Sequence, residues 1–132
     1  LAEKGEVSML VLVADDDPVT CEMVAAVVRS GGHTPILARD AMQVMFMATH
    51  RRPDVIVLDI QMPAGTGIGA LEKLRSSAKT ADIPVLIYSG ILDDAIMERV
   101  RSLGTAGCLA KPADPDTLAA AIERAATRPP VP

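Results

Sequence analysis

The sequence predicts an α/β fold: a (βα)5 chain with a doubly wound, five-stranded parallel sheet in the order 2-1-3-4-5. Three observations carry this. Short apolar runs alternate with longer segments of helical periodicity along the chain. Asp, Asp-Pro and Gly signals fall at the junctions, where helices start and stop. The 132 residues suit one domain with one core. Regular alternation with short connections implies a parallel sheet covered by helices on both faces. Right-handed crossovers then restrict the topology, and the order 2-1-3-4-5 reverses direction between strands 1 and 3.

The elements follow in order. Met9 to Ala14 is an apolar run, read as a strand buried on both faces. Asp17-Pro18 gives an N-cap followed by Pro at the first helical position. Val19 to Arg29 carry the first helix, and Gly31-Gly32 end it. Thr34 to Ala38 form the second strand, and Asp40 caps a helix from Ala41 to about Thr49. Val55 to Leu58 form the third strand, ending in Asp59. A Gly-rich loop from Met62 to Gly67 leads into a helix through Leu71, Leu74 and Arg75. Ile83 to Tyr88 make the fourth strand, and Asp93 or Asp94 starts a helix that ends near Gly104. Ala106 to Ala110 are the fifth strand, and Asp114-Pro115 precedes the last helix, Asp116 to about Thr127.

Composition narrows the function. The chain is 49% hydrophobic and 23% charged, as a globular domain should be. A net charge of −4 argues against binding to nucleic acid or to an anionic membrane. Phe46 and Tyr88 are the only aromatics besides the histidines, so no platform for stacking bases is expected. No apolar stretch approaches the ~18 residues of a membrane span. With Cys21 and Cys108 alone, a disulfide scaffold is not expected, and a reducing cytoplasm is the natural home. Residues 1–8 are polar and aperiodic, an arm or linker, and 128–132 are Pro-rich and read as a tail. The core domain is therefore expected over 9–127. A domain cut from a longer protein and a processed standalone protein both fit these ends.

The chemistry gathers at one edge. Asp15-Asp16-Asp17 follow the first strand. At about 4 Å and an effective dielectric near 20, each like-charged pair costs on the order of 4 kcal/mol. A bound cation or a nearby lysine would offset that; alternatively one Asp caps the helix and the others face water. Strand 3 ends in Asp59, strand 4 in Ser89 and Gly90, and strand 5 in Lys111 and Pro112. Singly, these read as a cap, a turn and a surface lysine. Ligands of such sheets bind at the C-terminal strand ends beside the switch point, which is where all of them converge.

Four motifs make a resemblance. They are Val13-Ala14-Asp15-Asp16-Asp17-Pro18; Leu58-Asp59-Ile60-Gln61-Met62-Pro63 with Gly67 after it; Val85-Leu86-Ile87-Tyr88-Ser89-Gly90; and Gly104 to Pro112. Spacings of 30 residues from Asp59 to Ser89 and 22 from Ser89 to Lys111 complete the pattern. The chain resembles the receiver domain of bacterial two-component response regulators, with a flavodoxin-like fold, over about residues 9 to 127. The resemblance implies a regulatory phosphoacceptor rather than an enzyme. Asp59 would take a phosphoryl group from the phosphohistidine of a histidine kinase or histidine phosphotransfer protein. Mg²⁺ would be held by Asp16, Asp59 and the backbone carbonyl of Gln61, with Asp15 acting through a metal-bound water. Lys111 would aim at the phosphoryl oxygens or at Asp59, and the Ser89 hydroxyl would donate to the phosphoryl group. The output would be a change of the helix 4–strand 5–helix 5 face, read by an attached output domain, a partner or a second copy.

The chain departs from that pattern in its readout. Cys108 stands where receivers commonly carry an aromatic, three residues before the lysine, and Ala113 where Phe often follows. The last helix is Ala-rich, with a shallow face. Cys108 reads as a structural thiol, with redox sensing as the alternative. On the second helix only Gln43 interrupts an apolar stretch, so some of Met42, Phe46 and Met47 are expected to face outward, as a docking surface or as incidental exposure. Two other readings compete. A phosphatase resembling the haloacid dehalogenase family needs a second Asp two residues after the nucleophile, where this chain has Gln61. A receiver-like module could also dock partners without accepting phosphate, and Cys108 keeps that reading open.

Overall fold

The computed structural model describes residues 8–62 and 67–127. Its elements are β1 (Leu10–Ala14), α1 (Pro18–Ser30), β2 (Thr34–Ala38), α2 (Ala41–Arg51), β3 (Val55–Leu58), α3 (Gly67–Ser76), β4 (Val85–Ser89), α4 (Asp94–Leu103), β5 (Gly107–Ala110) and α5 (Pro115–Ala126). The strands form one sheet in the order β2-β1-β3-β4-β5 with every pairing parallel. This is the expected (βα)5 topology.

Side chains alternate across the strands and so divide the core in two. Leu12, Ile56, Leu58, Val85 and Ile87 face α2, α3 and α4, meeting Val44, Leu71, Leu74 and Val100. Val11, Val13, Val55, Val57, Leu86 and Tyr88 face α1 and α5, meeting Val24, Val28, Leu118 and Ile122. Burial on both faces explains why β1 and β3 read as continuous apolar runs.

Helix starts are built as the sequence suggests. Asp17, Asp40, Asp93 and Asp114 each sit in extended backbone and accept an N–H from the first turn, those of Val19, Gln43, Ile96 and Thr117. The Gly31-Gly32 stop is also seen: Gly31 donates to Val27 and Val28 carbonyls, and Gly32 takes φ +84°.

Boundaries shift where backbone chemistry decides. β4 begins at Val85 rather than Ile83, because Pro84 has no N–H for the ladder; its carbonyl accepts from Ile56 at 2.9 Å. α2 runs past Thr49 to Arg51 and closes on Arg52 in the left-handed conformation, whose N–H reaches the Ala48 carbonyl. Ser8, placed in the arm by its polarity, hydrogen-bonds the Gly32 carbonyl through its hydroxyl. Residues 1–7, the loop positions 63–66 and the tail 128–132 lie outside the described residues.

On α2, Met42 is 81% exposed and Phe46 63% exposed, whereas Met47 packs against the core. Cys108 is half-buried against the α4 side of the core, where burial pushes its thiol pKa up. α4 is the least anchored helix: Val100 is its one fully buried residue.

Candidate functional site

The sheet's own hydrogen bonds place the site. The Asp15 N–H donates to Ala38, the Asp59 N–H to Ala14 and the Lys111 N–H to Ser89, at 3.1, 2.9 and 2.9 Å. All three residues therefore extend the ladder by one step beyond β1, β3 and β5, and their side chains converge at the C-terminal edge. Asp15 and Asp59 are 3% and 5% exposed.

Each buried carboxylate divides its oxygens between its own turn and the lysine. Asp15 Oδ1 accepts the Asp17 N–H at 2.9 Å, and Oδ2 accepts Lys111 Nζ at 2.6 Å. Asp59 Oδ1 accepts the Gln61 N–H at 3.1 Å, and Oδ2 lies 3.4 Å from Lys111 Nζ. Lys111 thus sits closer to Asp15 than to Asp59, the carboxylate at which the sequence reading aims it. The Cys21 thiol donates to the Asp15 carbonyl at 3.1 Å, fixing that turn from α1. Asp17 faces solvent and caps α1, also accepting the Thr20 hydroxyl at 2.7 Å.

Asp16 is exposed, yet one oxygen from each of Asp15, Asp16 and Asp59 lies within 4.8 Å of the others. Three carboxylates against one ammonium leave two negative charges uncompensated. An all-oxygen, doubly negative cluster suits a hard divalent cation, and Mg²⁺ or Ca²⁺ in particular.

Burial pushes the Asp15 carboxyl above the ordinary carboxylate range, and the Lys111 hydrogen bond offsets this only in part. Burial alone would pull the Lys111 ammonium down, but the hydrogen bond and charge of Asp15, with Asp59 behind them, outweigh it and raise its pKa.

Ser89 is fully buried at the end of β4, and its Oγ accepts the Ile91 N–H at 3.3 Å. A hydroxyl that accepts there keeps its own proton to donate. Gln61 is exposed, and only its N–H takes part in the hydrogen bonds around Asp59.

Two contacts escape sequence reasoning. A Cβ on Gly67 would run into the Asp59 carbonyl oxygen and lie 2.5 Å from Ile60 Cα; the Gly67 N–H donates to the Ile60 carbonyl at 2.9 Å. The glycine lets α3 start directly against the Asp59 turn. Its position in the second motif was a signal, but its purpose needs the close approach to be seen. The other is Tyr88, whose ring centroid lies 5.7 Å from Lys111 Nζ and whose hydroxyl accepts the Ala113 N–H at 3.1 Å.

Comparison with known proteins agrees with this arrangement. The response regulator receiver domain model matches residues 11–123, and the chain belongs to that family. It is 38% identical to the transcriptional regulatory protein TcrX of Mycobacterium tuberculosis over 97 residues, 74% of this chain and 40% of TcrX. It is 31% identical to protein PilH of Pseudomonas aeruginosa over 110 residues, covering 82% of this chain and 89% of PilH. The chemotaxis response regulator CheY4 of Vibrio cholerae superposes with a TM-score of 0.84 at 26% identity, over 90% of this chain and 99% of CheY4. The chain spans less than half the length of several curated relatives it matches.

Membership places the chain in two-component signalling, among regulatory receiver domains. Receiver domains of this family interact with sensor kinases and output domains, and typically bind Mg²⁺ at an acidic pocket. No helix among the described residues is long and apolar enough to cross a membrane.

Proposed function

We propose that the chain is a phosphorelay switch in which Asp59 accepts a phosphoryl group from the phosphohistidine of a histidine kinase or histidine phosphotransfer protein. One observation carries this: a buried carboxylate at the end of β3 faces a lysine and two further carboxylates in a member of the receiver family. Phosphoryl transfer asks a protein for little beyond an in-line nucleophile and neutralisation of spreading charge. Asp59 is the nucleophile, and Lys111 meets the developing charge on the phosphoryl oxygens. The Ser89 hydroxyl donates to a phosphoryl oxygen, and the Ile91 N–H orients that hydroxyl.

Asp16, Asp59 and the Gln61 carbonyl are the residues that would hold Mg²⁺ directly, with Asp15 acting through a water. When bound, the ion supplies positive charge against the phosphoryl oxygens. The Lys111–Asp15 pair keeps the ammonium over the site before any phosphoryl group arrives.

The phosphoryl group adds about −1.5 to −2 charges at the edge. It biases the domain only by its differential interaction with two shapes. Ser89 and Lys111 lead to the α4–β5–α5 face, and that face suits a switch because α4 has Val100 as its one fully buried residue, with Ile96 and Leu103 only partly buried, and β5 is half-exposed. An attached output domain, a partner or a second copy reads the change. The working unit is 9–127, in the cytoplasm.

Incubation with Mg²⁺ and a small-molecule phosphodonor, followed by intact-mass measurement, tests the reading. The chain should gain one labile phosphoryl group only with Mg²⁺, and Asp59→Asn should gain none. No gain by the wild type sinks the proposal.

A further inference from the structure

We propose that Tyr88 is the positioning residue for Lys111, a role resting on the phosphoacceptor reading of the same site. Three observations converge on it. Tyr88 is the chain's one tyrosine, and it is buried beneath the last turn of the edge. Its ring lies 5.7 Å from Lys111 Nζ, within reach of a cation–π attraction. Its hydroxyl accepts the N–H of Ala113, so one side chain holds both the ammonium and the backbone that follows Lys111-Pro112.

The need for such a clamp is physical. A lysine side chain is a flexible stem with large rotamer entropy. The Lys111 N–H to Ser89 bond fixes only its backbone. Asp15 and Asp59 draw the ammonium from one side. The ring bounds it from the α1–α5 side of the sheet, where Tyr88 packs with Leu118 and Val57. When charge grows on the phosphoryl oxygens, the ammonium can turn toward them without leaving the ring. Cys108 has no ring to offer and packs on the opposite face. The two parts of Tyr88 have separable duties: the ring serves Lys111, and the hydroxyl serves the Ala113 turn.

The test compares Tyr88→Leu and Tyr88→Phe in the full chain. Phosphorylation by a small-molecule donor should slow about tenfold in Tyr88→Leu, as loss of a partly desolvated cation–π contact implies. Tyr88→Phe should stay within about threefold of wild type, because a Phe ring retains that contact. The Mg²⁺ concentration giving half-maximal rate should be unchanged in both, since Asp15, Asp16 and Asp59 are retained in each variant. A general loss of structure would not be rescued by Phe or spare the metal dependence. Equal rates for wild type and Tyr88→Leu overturn the proposal, as does a Tyr88→Phe as slow as Tyr88→Leu.

Nuclear magnetic resonance of the resting protein decides the matter even if the wild type accepts no phosphoryl group, an outcome that would refute the phosphoacceptor reading instead. The Lys111 ε-methylene protons should carry a ring-current shift in wild type and Tyr88→Phe that vanishes in Tyr88→Leu. The Ala113 amide should exchange faster in both variants. Identical Lys111 shifts in all three proteins overturn the clamp.

Discussion

Replacing Gly67 by Ala should cost the domain about 1–4 kcal/mol, and the size of that loss follows from one close approach. The new Cβ would overlap the Asp59 carbonyl oxygen and sit 2.5 Å from Ile60 Cα, where carbon atoms ordinarily keep about 3.5–4.0 Å. Neither neighbour can rotate away, because both are backbone. Relief requires moving α3 off the Asp59 turn and breaking the Gly67–Ile60 hydrogen bond, worth about 1 kcal/mol. Overpacking of a tight site adds about 1–3 kcal/mol, and the lower entropy of unfolded Ala returns about 0.4–1 kcal/mol. For 132 residues at about 2.1 cal/mol/K of unfolding entropy each, a net 1–4 kcal/mol lowers Tm by roughly 4–14 °C. Thermal unfolding followed by circular dichroism measures it. Gly69→Ala is the control: it lies in α3, and its Cβ would meet nothing within 4 Å, so Tm should hold or rise slightly. A Gly67→Ala melting point within about 2 °C of wild type would refute the steric argument, since that margin is well under 1 kcal/mol by the same entropy.

Three further outcomes follow from the site and its supports. Lys111 has a raised folded-state pKa, so its stabilisation is complete below about 10.5 and disappears as pH climbs through the folded value; the Tm difference between wild type and Lys111→Met should therefore be flat at neutral pH and shrink above about 10.5. Asp16→Ala should weaken Mg²⁺ binding by at least tenfold in calorimetry, with unfolding free energy unchanged within about 0.5 kcal/mol because the side chain is exposed. Asp114→Ala removes acceptors for the Thr117 N–H and hydroxyl, at 3.2 and 2.6 Å, and should cost about 1 kcal/mol by urea denaturation.

Much of this molecule was legible before any coordinates. Parallel pairing turns position in the chain into position in space: an Asp, Ser or Lys at a strand's C-terminal end must reach one edge. Asp17, Asp40 and Asp114 were likewise readable as caps, because capping is a local contest between a side chain and its own first turn, and the choice left open between Asp93 and Asp94 falls to Asp93. What escaped depends on distances between segments. The sequence aims Lys111 at the phosphoryl oxygens or at Asp59, whereas its ammonium lies nearer Asp15, at 2.6 Å against 3.4 Å. Gly67 shows its purpose only once α3 is packed against Asp59. Tyr88 reads as one apolar member of a buried strand, and its tie to Lys111 and Ala113 exists only across β4 and β5. On α2 the apolar stretch could not say which methionine turns inward; helical phase against the sheet put Met47 inside and left Met42 and Phe46 outside. Arg75 was read only as part of a helix, yet its guanidinium reaches the Gly104 and Ala81 carbonyls at 2.8 and 3.2 Å, joining the turn that follows α3 to the distant turn after α4.

The central claim is that the phosphoryl group forms its bond with Asp59. Reducing the phosphorylated protein with borohydride and mapping the modified peptide by mass spectrometry tests this directly, since borohydride attacks an acyl phosphate and spares a free carboxylate. The account predicts a single reduced site, at position 59, present only after treatment with Mg²⁺ and phosphodonor. Reduction at Asp15 or Asp16 instead, or a phosphorylated protein with no reduced carboxylate, would contradict it.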